Sequence, residues 1–169
     1  MALPSPVIAA LHDLNAMLRQ FWPDRTIPLE FWLIEDDVIF FDALQYLPCC
    51  LGSRMYETAD IAMLPEGFRV ALAIFDLEDG FSGEGWHAIN NAGEDGLRNA
   101  IAAYRTVGLP VRAAALERVL LVYLAGTDDT DDYRNAARGE LAELVDDHAA
   151  TAIVQAWLQQ EPERLFGPI

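Results

Sequence analysis

Apolar side chains recur at intervals of three and four through most of this chain, and prolines and glycines cut the recurrence into short lengths. That spacing gathers apolar groups on one side of an α-helix but scatters them over both faces of a strand, so it narrows the fold before any motif is considered. The sequence predicts an all-α protein, a single compact domain over residues 1–169 built as a bundle of about seven to nine helices. A chain of 169 residues can bury a core of its own.

The first helix is signalled by Ser5 and Pro6, a capping hydroxyl followed by proline at the first helical position. Val7, Ile8, Leu11, Leu14, Met17, Leu18 and Phe21 then repeat until Pro23 stops the run. A second apolar block lies between Pro28 and Pro48. A strand over 31–34 stays open there, and helix is preferred after Asp36. A third helix is expected from 66 to about 79, carrying Phe68, Val70, Leu72, Ile74 and Phe75. Gly80, Gly83 and Gly85 should then break the chain and let two helices approach closely. A short helical turn over 86–92 ends at Gly93. The next helix covers 94–107, with Leu97, Ile101 and Tyr104 on one face and Gly108 as its stop. Pro110 opens another, with Ala114, Leu116, Val119, Leu120 and Tyr123. After an acidic turn over 127–132, one long helix is expected to reach about Gln160. Its buried stripe would be Leu141, Leu144, Val145, His148, Ala152, Ile153, Ala156 and Trp157. Tyr133, Trp157, Leu165 and Phe166 fit a core or an interface equally well.

Charge narrows the function. There are 27 acidic against 11 basic residues, a net charge of −16, and every basic one is arginine. Such a chain repels nucleic acid and anionic membrane and favours basic partners. Without lysine it has no Schiff-base nucleophile and no phosphate-loop lysine. With 53% apolar residues, the acidity does not signal disorder. No basic leader precedes residue 7, and the apolar run 116–125 is too short to span a bilayer, so a cytoplasmic protein is expected. The vicinal Cys49 and Cys50 read as small buried residues of a reducing compartment, with no further cysteines to make a zinc site.

The motifs of catalysis fail one by one. Gly80-Phe81-Ser82-Gly83-Glu84 nearly spells a nucleophile elbow, but Glu84 replaces its second glycine. His12, His87 and His148 lie apart, in no metal-binding spacing. The run Asp128-Asp129-Thr130-Asp131-Asp132 lacks the glycine and glutamate of a calcium loop, and its carboxylates suit a helix N-terminus. Asp76, Glu78, Asp79 and Glu84 around the glycines would repel a phosphate. No cofactor and no metal are expected. The acids themselves remain as the signal: Asp128, Asp129, Asp131 and Asp132, followed along one predicted helix by Glu140, Glu143, Asp146 and Asp147. Spacings of three and four would set several about 6 Å apart on a shared face. That is comparable with neighbouring phosphates of a DNA strand, and a solvated face kept for solubility is the competing account.

Leu77-Glu78 is followed by a glycine-aromatic turn, Gly83-Glu84-Gly85-Trp86, and by an asparagine-glycine step, Asn90-Asn91-Ala92-Gly93. On these motifs residues 76–120 resemble a bacterial family of small acidic helical proteins of unknown function, typified by a neisserial DNA-mimic protein. Ala100, Ala103 and Val107-Gly108 follow as an alanine-rich helix and its stop, and 113–120 opens the next. Residues 144–157 are similar in a looser way. Glu84 interrupts the paired glycines, the step from Trp86 to Gly93 is short, and His87 stands nearest an expected glutamine. The resemblance implies an all-helical fold and, by way of the mimic, carboxylates arrayed like DNA phosphates before a dimeric transcription factor.

The expected function is therefore non-enzymatic binding of a basic protein, with DNA mimicry toward a transcription factor as its sharpest form. No direct contact with nucleic acid or membrane is expected, and monomer and homodimer both stay open. An immunity-type inhibitor of a basic toxin or nuclease uses the same charge logic. An enzyme with a site around Glu78, Glu84, Trp86, His87 and Asn90 is the third reading.

Overall fold

The computed structural model describes residues 5–21, 23, 65–141, 149–161 and 164. Among these the chain is helical and contains no strand. Helix α1 is Ser5–Phe21, α2 Glu66–Glu84, α3 Ala88–Thr106, α4 Pro110–Leu124, α5 Thr130–Ala137 and α6 Ala149–Gln160, with a 3-10 turn at Gly85–His87 between α2 and α3. The apolar block between Pro28 and Pro48, Cys49 and Cys50, and the terminal Leu165 and Phe166 lie outside the described residues.

The chain divides into two compact units. One takes the described residues up to Leu72 together with those from Ile153. Leu11 and Leu14 of α1, Phe68, Val70 and Ala71 of α2, and Val154 and Leu158 of α6 are its buried groups. At Gly67 a β-carbon would stand 2.6 Å from the carbonyl oxygen of Arg164, so the start of α2 passes the chain beyond α6 at backbone distance. The Arg164 guanidinium lies over the Trp157 ring, 4.6 Å from its centre, which leaves Trp157 half-buried.

The second unit, Ala73–Ala152, holds the rest of α2 and all of α3, α4 and α5. Ile74, Leu77 and Phe81 of α2, Leu97, Ile101 and Tyr104 of α3, and Leu116, Val119 and Leu120 of α4 are buried. Helix α3 is bent where expected. Gly93 has φ 62° and ψ −175°, a backbone region open essentially to glycine alone, and the segment before it joins α2 through the 3-10 turn. Trp86 packs edge-on against Phe81, ring centres 5.2 Å apart. Gly108, at φ 83°, follows the end of α3, and Pro110 opens α4.

Three expectations need correction. Helix α2 does not stop near 79 but continues through Gly80 and Gly83 to Glu84, because Leu77, Glu78 and Phe81 keep one side of it buried. The close approach does occur at Gly80, where a β-carbon would be 3.1 Å from that of Ala88. The single long helix after the acidic turn is not formed either. Helix α5 ends at Ala137, with Arg138 in the left-handed region at φ 56° and Gly139 at φ 79°. Finally, the phase of the last helix differs. Ala150, Val154 and Leu158 are buried, Ala152 and Ala156 are exposed, and Ile153 and Trp157 are intermediate.

Candidate functional site

The four aspartates after α4 are all exposed, and a local hydrogen-bond network fixes three of them. Asp129 is the N-cap of α5: its Oδ1 accepts from the amide of Asp131 at 2.9 Å. Its own amide donates to the Thr127 hydroxyl at 3.2 Å, and that hydroxyl donates to Asp132 Oδ2 at 3.1 Å. Asp131 receives Arg134 Nη1 at 2.8 Å, one turn along the helix. Capping thus accounts for the position of Asp129, and the negative charge of Asp131 and Asp132 complements the positive end of α5. A carboxylate has lone pairs to spare after one such bond, so local pairing leaves these groups able to accept from a partner.

Beneath the aspartates, Tyr133 is fully buried. Its hydroxyl lies 2.6 Å from the Thr127 carbonyl oxygen and 2.7 Å from Asn90 Oδ1, anchoring the acidic turn to the first segment of α3. Burial foremost, and then the charges of the neighbouring Asp128, Tyr123 and Asp132, push this phenol above its ordinary value.

The other predicted acids are elsewhere. Glu140 lies in the turn after α5, where it pairs with Arg118 of α4. Arg118 also donates from Nε to the Ala136 carbonyl at 2.9 Å and from Nη2 to that of Ala137 at 3.3 Å, so it closes the C-terminal end of α5. Glu143, Asp146 and Asp147 lie outside the described residues, as does His148. The one helix expected to set several of these acids on a shared face is interrupted at Arg138, so Glu140 does not extend a helical row begun at 128–132.

The residues of the family-like signature take separate places. Glu78 is buried and paired with Arg112, 3.0 Å away. Tyr104 donates its hydroxyl to the same carboxylate oxygen at 2.8 Å. Burial, reinforced by the charge of Glu78 and the bond to it, pushes the Tyr104 phenol well above its usual range, with Arg112 opposing. Gly83 is inside α2, Gly85 starts the 3-10 turn at φ 59°, Asn90 meets Tyr133, and Asn91 donates to Glu84. Gly93 and Gly108 carry the bend and the stop of α3. His87 is exposed. Glu78, Glu84, Trp86 and Asn90 thus spend their polar or aromatic groups on different neighbours.

No motif names Arg112 and Tyr104 as partners of Glu78, although phase carries a signal for the charged pair. Glu78 sits four residues after the buried Ile74, and Arg112 sits four before the buried Leu116, so each charge is in phase with an apolar stripe. Elsewhere, a shallow depression on α1 is lined by Ser5, Ile8, Ala9, His12 and Asp13. His12 Nδ1 is 3.9 Å from Asp13 Oδ1 there, and both side chains are well exposed. Among the described residues, no three His, Cys, Asp or Glu side chains converge as metal ligands would. Nor, among them, is any helix long and apolar enough to cross a membrane. No family model, curated protein or solved structure matches the chain.

Proposed function

We propose that this protein is a non-enzymatic acidic binder of a basic protein, offering carboxylates where that partner otherwise meets DNA phosphates. In this reading a cytoplasmic helical domain of seven to nine helices displays the charge. The observation that carries it is the group of four exposed aspartates at the start of α5 and in the turn before it, anchored by Tyr133, in a chain of net charge −16. Prearranged carboxylates lose less freedom on binding than mobile ones and steer a cationic partner over distance. The resemblance over 76–120 to the acidic helical family belongs to the same proposal. Inhibition of a basic toxin or nuclease is the second reading, supported by the same charge.

The test is capture from the native cell lysate at low salt, eluting first with duplex DNA and then with a salt gradient. A basic DNA-binding protein released by DNA would support mimicry. A basic toxin or nuclease that DNA does not release would favour the inhibitor reading. Recovery of no salt-sensitive partner would overturn both, and the acidic surface would then serve solubility.

A further inference from the structure

Helix α4 turns one side to the core and leaves an apolar stripe on the other. Leu121 is 69% exposed, Val111 60% and Leu124 46%. Ala114, Leu121 and Ala125 recur at seven and four along one line of the helix, with Leu124 beside it and Val111 at its start. All of Ala114, Leu121, Leu124 and Ala125 are exposed. Single exposed leucines are ordinary on protein surfaces, but large apolar groups repeated along one helix mark a contact face.

The electrostatics of this stripe indicate what covers it. The charges in its middle are internally balanced: Glu117 pairs with Arg105, and Arg118 pairs with Glu140. The stripe's C-terminal end is different. The last turn of α4 holds no basic residue to offset the negative end of the helix dipole. The chain then leads directly into Asp128, Asp129, Asp131 and Asp132, all exposed. An apolar stripe that ends in negative charge is complementary to an amphipathic helix with a leucine-type face and an arginine- or lysine-rich flank. A second copy of this chain is a poor occupant, since each copy carries a net charge of −16.

We propose that the outer face of α4 is the docking surface for a basic amphipathic helix of the partner, with Leu121 and Leu124 as apolar anchors and the 128–132 aspartates as the acidic rim. This rests on the proposed binding of a basic protein and adds the contact surface and the partner's secondary structure. It also separates the interface from a bare phosphate imitation, because an apolar anchor persists when salt screens the charges.

The test uses the full chain and two peptides of about 18 residues, five helical turns. One places leucine and arginine in helical register, and the other is its scramble, with identical composition and charge. Binding is followed by fluorescence anisotropy across a salt series, for the wild type and for Leu121→Gln/Leu124→Gln. The register peptide should bind the wild type about tenfold more tightly than the scramble, an advantage that survives added salt. The double substitution should erase that advantage while leaving the salt-sensitive binding of the scramble unchanged. Equal binding of both peptides would overturn the docking face and leave the acidic-binder reading standing. Failure of both peptides to bind at low salt would overturn the docking face and the acidic-binder reading together. Two controls on the free protein also decide the matter. A fall of several degrees in the Tm of the substituted chain would show the face covered by the chain itself. Conversion of a dimer to a monomer in sedimentation would show it covered by a second copy, and either result overturns the proposal.

Discussion

Glu78 stands between Ile74 and Phe81 at helical spacing, so the side of α2 that buries those two groups buries its carboxylate as well. Arg112 is placed in the same way before Leu116 on α4. The inward direction of each charge was legible from phase; their pairing was not, because 34 residues separate them and periodicity says nothing about which helices meet. Removing one partner of such a pair leaves the other charge without compensation in a medium that solvates it poorly. Glu78→Ala should therefore cost about 3–5 kcal/mol in urea unfolding, whereas Glu78→Met/Arg112→Met together should cost far less. A loss below about 1 kcal/mol for the single change would mean that water reaches the pair. Tyr104 adds an alkaline signature. Its phenol is raised in the folded state, so its stabilisation is complete below the ordinary value of 10.0 and is lost as pH rises through the raised one. Tyr104→Phe should weaken the protein at neutral pH by about 1.5–3 kcal/mol, the worth of a hydrogen bond to a charged group. It should also remove part of the decline in Tm above pH 10, to which the raised phenol of Tyr133 contributes as well.

The ends of the helices show which local signals decide the backbone and which are outweighed by burial. Pro23, Gly93, Gly108 and Pro110 act by fixing or freeing their own backbone, so their effect is visible in sequence. Gly80 and Gly83 looked like further breaks, yet glycine inside a helix costs only about 1 kcal/mol against alanine, and the burial of Leu77 and Phe81 outweighs it. At Arg138 the balance is the opposite. Gly139 was an adequate stop signal, but the apolar spacing that resumes at Leu141 masked it. Two substitutions separate these glycines. Gly93→Ala forces a β-carbon into φ 62°, ψ −175° and should cost about 1–3 kcal/mol. Gly83→Ala adds its methyl where nothing lies within 4 Å and should stabilise by about 0.5–1 kcal/mol. Opposite shifts in Tm are the expected result; a rise for both would mean that α3 is straight at Gly93.

At the scale of the whole molecule, two electrostatic effects oppose one another. Exposed pairs such as Arg98–Glu94, Arg105–Glu117 and Arg134–Asp131 are weakened by salt, but each is worth only about 0–1 kcal/mol. Against them stands a net charge of −16 confined to the compact state, whose mutual repulsion relaxes when the molecule unfolds. Screening shortens the reach of that repulsion to about 10 Å at 0.1 M salt, so it should change the free protein more than the loss of a few surface pairs does. The Tm should accordingly rise between low and moderate salt, while affinity for a basic peptide falls over the same range. The two slopes share one cause, an excess of carboxylates not compensated within the chain. If the Tm instead fell with salt, internal pairing would dominate the surface electrostatics. The excess negative charge on which a cationic partner depends would then be locally neutralised, and the physical basis for proposing such a partner would be lost.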